Sequence, residues 1–401
     1  MVVARPRAIP CRAVGHETRE PVVTAQEVEP PQGKPRAREL DRLLGSMEKL
    51  QASDLHLKAG SVPVMRIGGF CRHLELPPMS AERVQAVCYE ALADGQRRVF
   101  EESGDLDFAY LLPDGRRFRM NLYRERGCVA LSARFVKSRI PTFDELYLPA
   151  LALKRLASFD QGLILLAGVT GSGKSTTIAS IIETINARAR CHIVTVEDPI
   201  EYVYTDKKAI IHQREVGFDT RDFRSAIRAL MRQDPDVIVA GEMRDAETFD
   251  FALTAAETGH LVFGTLHAST VTQSFGRILD LFPPERHKQI RSGLHFNLKG
   301  IVCQKLLPSI KPGVLRVPAV EVMISNPIIR KLIKEGEEAK VSDVIEGGKD
   351  EGMQTFNQAL CTLIQTGFIE EKTGMEVSPT PEQLRMLLQG FRLDEGRRIV
   401  G

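Results

Sequence analysis

The sequence predicts an α/β fold: a parallel sheet wrapped by helices, a smaller α+β domain ahead of it and a helical region behind it. Three observations carry that reading. From residue 162 onward, short wholly apolar runs at 163–167 and 237–240 alternate with helical stretches such as 175–189. Strands apolar on both faces belong to parallel sheets covered on both sides. Between residues 39 and 140, by contrast, apolar and polar residues alternate at 52–58, 63–67, 106–111, 117–123 and 129–135, as in strands with one wet face. Past residue 271 the strand signals thin, and helical spacing dominates 285–306, 326–336, 354–366 and 379–391.

Taken in chain order, residues 1–38 are rich in Pro, Arg and Glu without apolar periodicity, which reads as a disordered tail. Leu40, Leu43, Leu44, Met47 and Leu50 have helical spacing and open an N-terminal domain over 39–140. Within it, Gly68-Gly69 and Asp114-Gly115 mark turns, and 80–100 reads as one helix. Residues 141–150 form a linker, beginning at Pro141. The α/β core is expected over 151–310, the helical C-terminal region over 311–392 and a short tail over 393–401.

The composition excludes several classes. The chain has 54 basic and 52 acidic residues and a formal net charge of +2, too balanced to point to nucleic acid. No tryptophan is present to supply a stacking platform for single strands. No apolar run approaches the roughly 18 residues of a membrane span. The seven cysteines, at positions 11, 71, 88, 128, 191, 303 and 361, include no Cys-x-x-Cys pair. That disfavours a structural zinc site and fits a reduced, cytoplasmic setting.

Chemistry enters at Gly168-Val169-Thr170-Gly171-Ser172-Gly173-Lys174-Ser175, a full match to G-x-x-x-x-G-K-[ST]. It stands between an apolar strand and a helix, the context the motif requires. The glycines let successive N–H groups point at one anion, and the helix beginning near Ser175 and Thr176 adds its positive end. Lys174 can reach β- and γ-phosphates, and the Ser175 hydroxyl is placed for Mg²⁺. ATP and Mg²⁺ are therefore the expected cofactors. Residues 236–242 read as a buried strand ending in Glu242, an acid suited to the Mg²⁺ water shell or to polarising the attacking water.

A second acidic loop, Glu197-Asp198-Pro199-Ile200-Glu201, follows the strand at 192–196. Glu201 is the first choice for general base, and Glu197 and Asp198 for organising the metal and the loop. His260 and His267 flank a further apolar strand, and a neutral His there can hydrogen-bond a γ-phosphate oxygen and report its presence. Arg244 follows Glu242 closely and reads as a structural partner of Asp245 or Glu247, with phosphate sensing as the alternative.

Together these motifs resemble the secretion and type IV pilus ATPase superfamily, most closely the pilus retraction (twitching-motility) ATPases of the PilT/PilU type. The resemblance runs over 40–389 and includes Ala52-Ser-Asp-Leu-His-Leu, Arg117-Phe-Arg-Met-Asn121, Met231-Arg-Gln-Asp-Pro-Asp236, Gly241-Glu-Met-Arg-Asp245 and the run from Leu253 to His267. It implies a RecA-like P-loop NTPase core, a PAS-like N-terminal domain and assembly as a homohexamer. It also implies arginines reaching the nucleotide from the N-terminal domain across a subunit boundary, at Arg119 and Arg134. The implied partners are an inner-membrane pilus platform protein and, optionally, a paralogous retraction ATPase. The implied location is the cytoplasmic, inner face of the membrane, without an integral span. A helix that retraction ATPases need for retraction matches Ile328-Ile-Arg-Lys-Leu-Ile-Lys-Glu335, with changes at Ile328, Lys331 and Lys334. The resemblance leaves three other readings open: a PilU-like accessory ATPase, a pilus-assembly or type II secretion ATPase, and a nucleotide-gated regulatory protein without motor activity.

Overall fold

The computed structural model describes residues 38–390; the expected tails, 1–38 but for its last residue and 393–401 entirely, lie outside the described residues. The N-terminal domain is an antiparallel sheet of six strands, β1 (Ala52–Leu57), β2 (Val64–Ile67), β3 (Phe70–His73), β4 (Asp105–Leu111), β5 (Arg117–Glu125) and β6 (Cys128–Phe135), in the order β3-β2-β1-β6-β5-β4. Alternation does what the sequence implied. Phe118, Met120 and Leu122 of β5 are buried, while Arg117, Arg119 and Asn121 stand on the opposite face. Three helices, α1 (Glu39–Lys49), α2 (Ala81–Tyr89) and α3 (Asp94–Ser103), pack against the strands.

The single helix expected over 80–100 is two. The chain breaks after Tyr89 and restarts at Asp94, where the Gln96 side chain accepts from the Ala93 N–H at 3.0 Å.

After α4 (Ala150–Leu156) the core builds around β7 (Gly162–Ala167), β8 (His192–Glu197), β9 (Ile210–Glu215), β10 (Val237–Ala240), β11 (Leu261–Leu266), β12 (Leu298–Pro308) and β13 (Arg316–Ile324). The strand order is β13-β12-β7-β11-β10-β8-β9. Every adjacent pair is parallel except β12 with β13. All residues of β7, β10 and β11 are buried, which requires cover on both faces. That cover comes from α5 (Lys174–Arg188), α6 (Phe223–Leu230), α7 (Ala246–Glu257), α8 (Val271–Leu279) and α9 (His287–Asn297). Side-chain caps fix where α6, α7 and α8 begin: Asp222 accepts from the Ser225 N–H at 2.7 Å, Asp245 from Thr248 at 2.8 Å and Thr270 from Gln273 at 3.2 Å.

Two expectations for the C-terminal third are corrected. The helical stretch at 285–306 stops at Asn297, and β12 follows directly. The seventh strand, β13, lies inside the region 311–392 expected to be helical, and is buried along nearly its whole length. Short apolar runs do not distinguish buried helix from buried strand by period alone. Here β-branched residues, Ile301 and Val302 on β12 and Val317, Val320 and Val322 on β13, settle into the sheet. Pro318 is tolerated because β13 is an edge strand. The remaining helices, α10 (Pro327–Glu335), α11 (Val341–Gly347), α12 (Phe356–Gln365), α13 (Glu371–Val377) and α14 (Pro381–Leu388), close that end.

The two sheets meet beside the acidic loop. Arg117 of β5 donates to the buried Glu215 of β9 at 2.8 Å, and the same carboxylate accepts weakly from the Ile200 N–H at 3.4 Å. The chain passing from the N-terminal domain into the linker runs alongside: the Val203 N–H donates to Lys137 O at 3.0 Å, and the Ser180 hydroxyl to Pro141 O at 2.7 Å.

Candidate active site

Parallel strands place all their C-terminal ends on one rim, and that rim holds the chemistry. β7 ends at Ala167 and runs into residues 168–173, after which α5 starts at Lys174. Gly168 and Gly173 adopt φ of +154° and +92°. A Cβ at Gly168 would stand 2.4 Å from Ser172 Oγ, and one at Gly173 would stand 2.7 Å from Gln304 Nε2. Any side chain at either place would force the loop open. Lys174 Nζ donates to the carbonyls of Gly168 at 2.7 Å and Val169 at 3.1 Å, folding back over its own loop. Partial burial lowers its pKa, and the negative charges of Glu242 and Glu201 oppose that shift.

A cavity of about 620 Å³ opens over this loop. From the loop and α5, Thr170, Gly171, Gly173, Lys174, Ser175 and Thr176 line it; from the strand ends come Glu197, Asp198, Glu201, Glu242, Arg244 and His267. Gly168, Val169 and Ser172 belong to the loop but do not line the cavity. Glu242 is held from both sides, Oε2 accepting from Arg244 at 2.5 Å and Oε1 lying 2.8 Å from His267 Nε2. Arg244 above all, then His267, holds the Glu242 carboxyl below its usual range, against some desolvation. Glu201 is exposed, and its side chain makes no hydrogen bond or ion pair among the described residues. Glu197 differs: its Oε1 accepts from Thr195 at 2.7 Å and Gln213 at 3.0 Å, and burial raises its pKa.

Several expected residues stand elsewhere. His260 precedes β11, so it sits at the opposite end of the strand from His267, about 20 Å away at the ordinary strand rise. There its Nδ1 lies 2.9 Å from Ala255 O and 3.2 Å from Thr258 Oγ1, at the end of α7. A γ-phosphate role for His260 is therefore corrected to a structural one. Arg119 and Arg134 face each other across β5 and β6, outside the cavity lining of their own chain. Arg134 is paired with Asp54 at 2.8 Å, while Arg119 has no ion pair among the described residues. Arg244 partners Glu242, not Asp245 or Glu247. Asp245 caps α7, and Glu247 is taken by Arg224 at 2.7 Å and Arg228 at 2.6 Å.

Sequence reasoning passed over the residues that hold this site in shape. Gln213 of β9 donates to both Glu197 and Tyr202 O. The Tyr202 hydroxyl lies 3.1 Å from Thr176 Oγ1. Glu215 joins Arg117 to the acidic loop. Only the alternation of β9, an edge strand, could have drawn attention to Gln213 and Glu215.

The donor set suits a magnesium ion. Among the described residues no three His, Cys, Asp or Glu side chains are grouped to hold a metal. A serine hydroxyl with one or two carboxylates is what a small hard cation uses when phosphates and water supply the rest.

Fold and rim together define a phosphate-loop α/β protein with two strand-end carboxylate sites facing a nucleotide-sized cavity. The type II/IV secretion system protein family matches residues 131–363, and the chain belongs to that family. It is 41% identical over 344 residues to the type IV pilus retraction ATPase PilT of Pseudomonas aeruginosa, covering 86% of this chain and 99% of that protein. It is 37% identical over 351 residues to the type IV pilus ATPase PilU of the same organism, covering 88% and 91%. Among solved structures, that of the pilus retraction motor PilT with bound ADP superposes with a TM-score of 0.80 at 45% identity, covering 87% of this chain and 99% of that one. No helix among the described residues is long and apolar enough to cross a membrane.

Proposed function

We propose that this chain is an ATP-hydrolysing motor subunit that powers type IV pilus retraction. The observation that carries the reading is the convergence of Lys174, Glu201, Glu242 and His267 on one cavity above the phosphate loop, in a chain so similar along its length to a retraction ATPase.

In this reading the amides of residues 169–174 and the positive end of α5 take the β-phosphate, and Lys174 leaves Gly168 O and Val169 O to meet the β- and γ-oxygens. Ser175 and Glu242, with Asp198 and Glu197 nearby, would hold Mg²⁺, which when bound would supply charge neutralisation for the transferred phosphoryl group. Glu201, an unpaired carboxylate, accepts a proton from the attacking water. His267 reaches the γ-phosphate region while bonded to Glu242, so loss of that phosphate is felt at the end of β11. Arg119 and Arg134 complete the site from the N-terminal domain (39–140) of a neighbouring subunit in a homohexamer. Their absence from their own chain's cavity supports an origin in trans. The ring works at the inner face of the cytoplasmic membrane against a platform protein.

A phosphate-release assay on the purified full chain with MgATP tests the enzyme. Binding without turnover would leave a nucleotide-gated regulatory protein instead. A deletion strain tests the direction: loss of surface motility with surplus pili is expected, and loss of pili altogether would mean assembly. Unaltered motility would favour an accessory, PilU-like subunit, a reading that the 37% identity to PilU keeps open.

A further inference from the structure

β12 lies beside β7 in parallel register, with Cys303 opposite Ala167, so the next residue, Gln304, stands level with the start of the phosphate loop. Its side chain is buried, 5% exposed, and the residue stands against the loop in two places and against the following helix in a third. Its main-chain carbonyl oxygen, which a side-chain substitution leaves in place, lies 2.6 Å from where a Gly168 Cβ would be. Its amide Nε2 lies 2.7 Å from where a Gly173 Cβ would be. Its Oε1 accepts from the Thr177 hydroxyl, one turn into α5, at 2.7 Å. Thr177 is itself 1% exposed, and its N–H donates to Gly173 O at 3.0 Å. One residue thus bears on the first glycine of the loop, on its last glycine and on the helix that follows.

We propose that Gln304 is a positioning residue for nucleotide binding, clasping both ends of the phosphate loop through Gly168, Gly173 and Thr177; this rests on the nucleotide reading above. A loop that must aim several N–H groups at one anion loses affinity when its ends can drift, because each amide then reorganises on binding. The clasp stands away from the reacting atoms, since Gln304 does not line the cavity. Its removal therefore acts on binding more than on the chemical step.

The test is calorimetry with MgADP and steady-state turnover with MgATP on the full chain. Gln304→Leu keeps the bulk and loses the hydrogen bond; Thr177→Val does the same from the other side. Each is expected to raise the MgADP Kd and the MgATP KM roughly tenfold, with kcat within about threefold of the parent. The double variant is expected to do no worse than either single, since both break one contact. Thr177→Ser, which keeps the hydroxyl, is expected to bind within about threefold of the parent. Gln304→Glu keeps shape and acceptor but sets a negative charge behind the anion cradle, and is expected to weaken MgADP as Gln304→Leu does. Thr177→Val, which breaks the same contact and leaves Gln304 in place, decides the matter should Gln304→Leu not fold. Unchanged affinity in Gln304→Leu and Thr177→Val, or a lowered kcat at constant KM, overturns the clasp while leaving the nucleotide reading intact. A parent chain that binds no MgADP overturns both.

Discussion

The two ends of the central strands are built from similar residues and put to opposite use. At their N-terminal ends, polar groups are spent on the fold. Asp236 accepts from the His192 N–H at 2.8 Å, His192 Nδ1 lies 3.1 Å from Asp234 O, and His260 is held by Ala255 O at the end of α7. At their C-terminal ends, charges face an open cavity and are only partly matched. Lys174 turns back on its own carbonyls, the Glu201 side chain has no hydrogen bond or ion pair among the described residues, and Glu242 is shared between an arginine and a histidine. A strand end is a site where its charges are left for a ligand, and a girder where they are used up locally.

The sharpest way to break that comparison is to remove the charge with no substitute at the open end. Lys174→Ala is expected to reduce ATP turnover by about a thousandfold or more, read as phosphate release, because charge compensation at the transferring group is lost. Turnover at the parent rate would sink the assignment of the whole rim. Glu242→Gln comes next. It keeps the shape and the His267 contact but removes the charge, and is expected to cost about a hundredfold in turnover while MgATP still binds. If Glu242→Gln abolished binding and turnover together, its role would be ligand retention and not catalysis.

The two histidines bracketing β11 sharpen the comparison on one strand. His267→Ala is expected to lower turnover about tenfold to a hundredfold, since it loses the proposed contact at the γ-phosphate and the bond to Glu242. His260→Ala is expected to leave turnover within about twofold and to show itself as a small fall in the thermal midpoint, through the lost bond to Ala255 O. Equal kinetic effects would mean that strand polarity does not separate site from scaffold here.

The same polarity marks where the sequence could be read and where it could not. The placement of the phosphate loop, the acidic loop, Glu242 and His267 around one cavity was legible because short-range spacing put them at strand ends beside a motif with strict local geometry. His260 was misplaced for the converse reason: two histidines around one apolar run look equivalent until the direction of the strand is known, and direction is a property of the sheet. Gln213, Glu215 and Gln304 were invisible because each acts on a partner brought near only by tertiary pairing, as with Gln304 and Thr177, 127 residues apart. β12 and β13 were missed because burial on both faces erases the period-two signal that exposed β5 kept.

Glu321 offers the smallest and most specific test, because it stands level with Cys303 and therefore with the end of β7, yet is buried where Glu242 is half open. Its Oε2 accepts from the Val271 N–H at 2.7 Å, pinning the start of α8, four residues beyond His267. Desolvation raises its pKa from 4.5 to about 7, with Val271 and Lys305 opposing the shift. The folded chain thus keeps this proton between about pH 4.5 and 7 while the unfolded chain has lost it, so this group's contribution makes stability fall as pH rises through that window. Glu321→Gln retains an acceptor for Val271 and removes the titration. At pH 5 it is expected to match the parent, and at pH 8 to exceed it by about 1–3 kcal/mol, in urea melts of the full chain. Parallel pH profiles for parent and variant would show that the carboxylate at this level of the sheet is matched by its surroundings after all, and that burial alone does not separate it from Glu242.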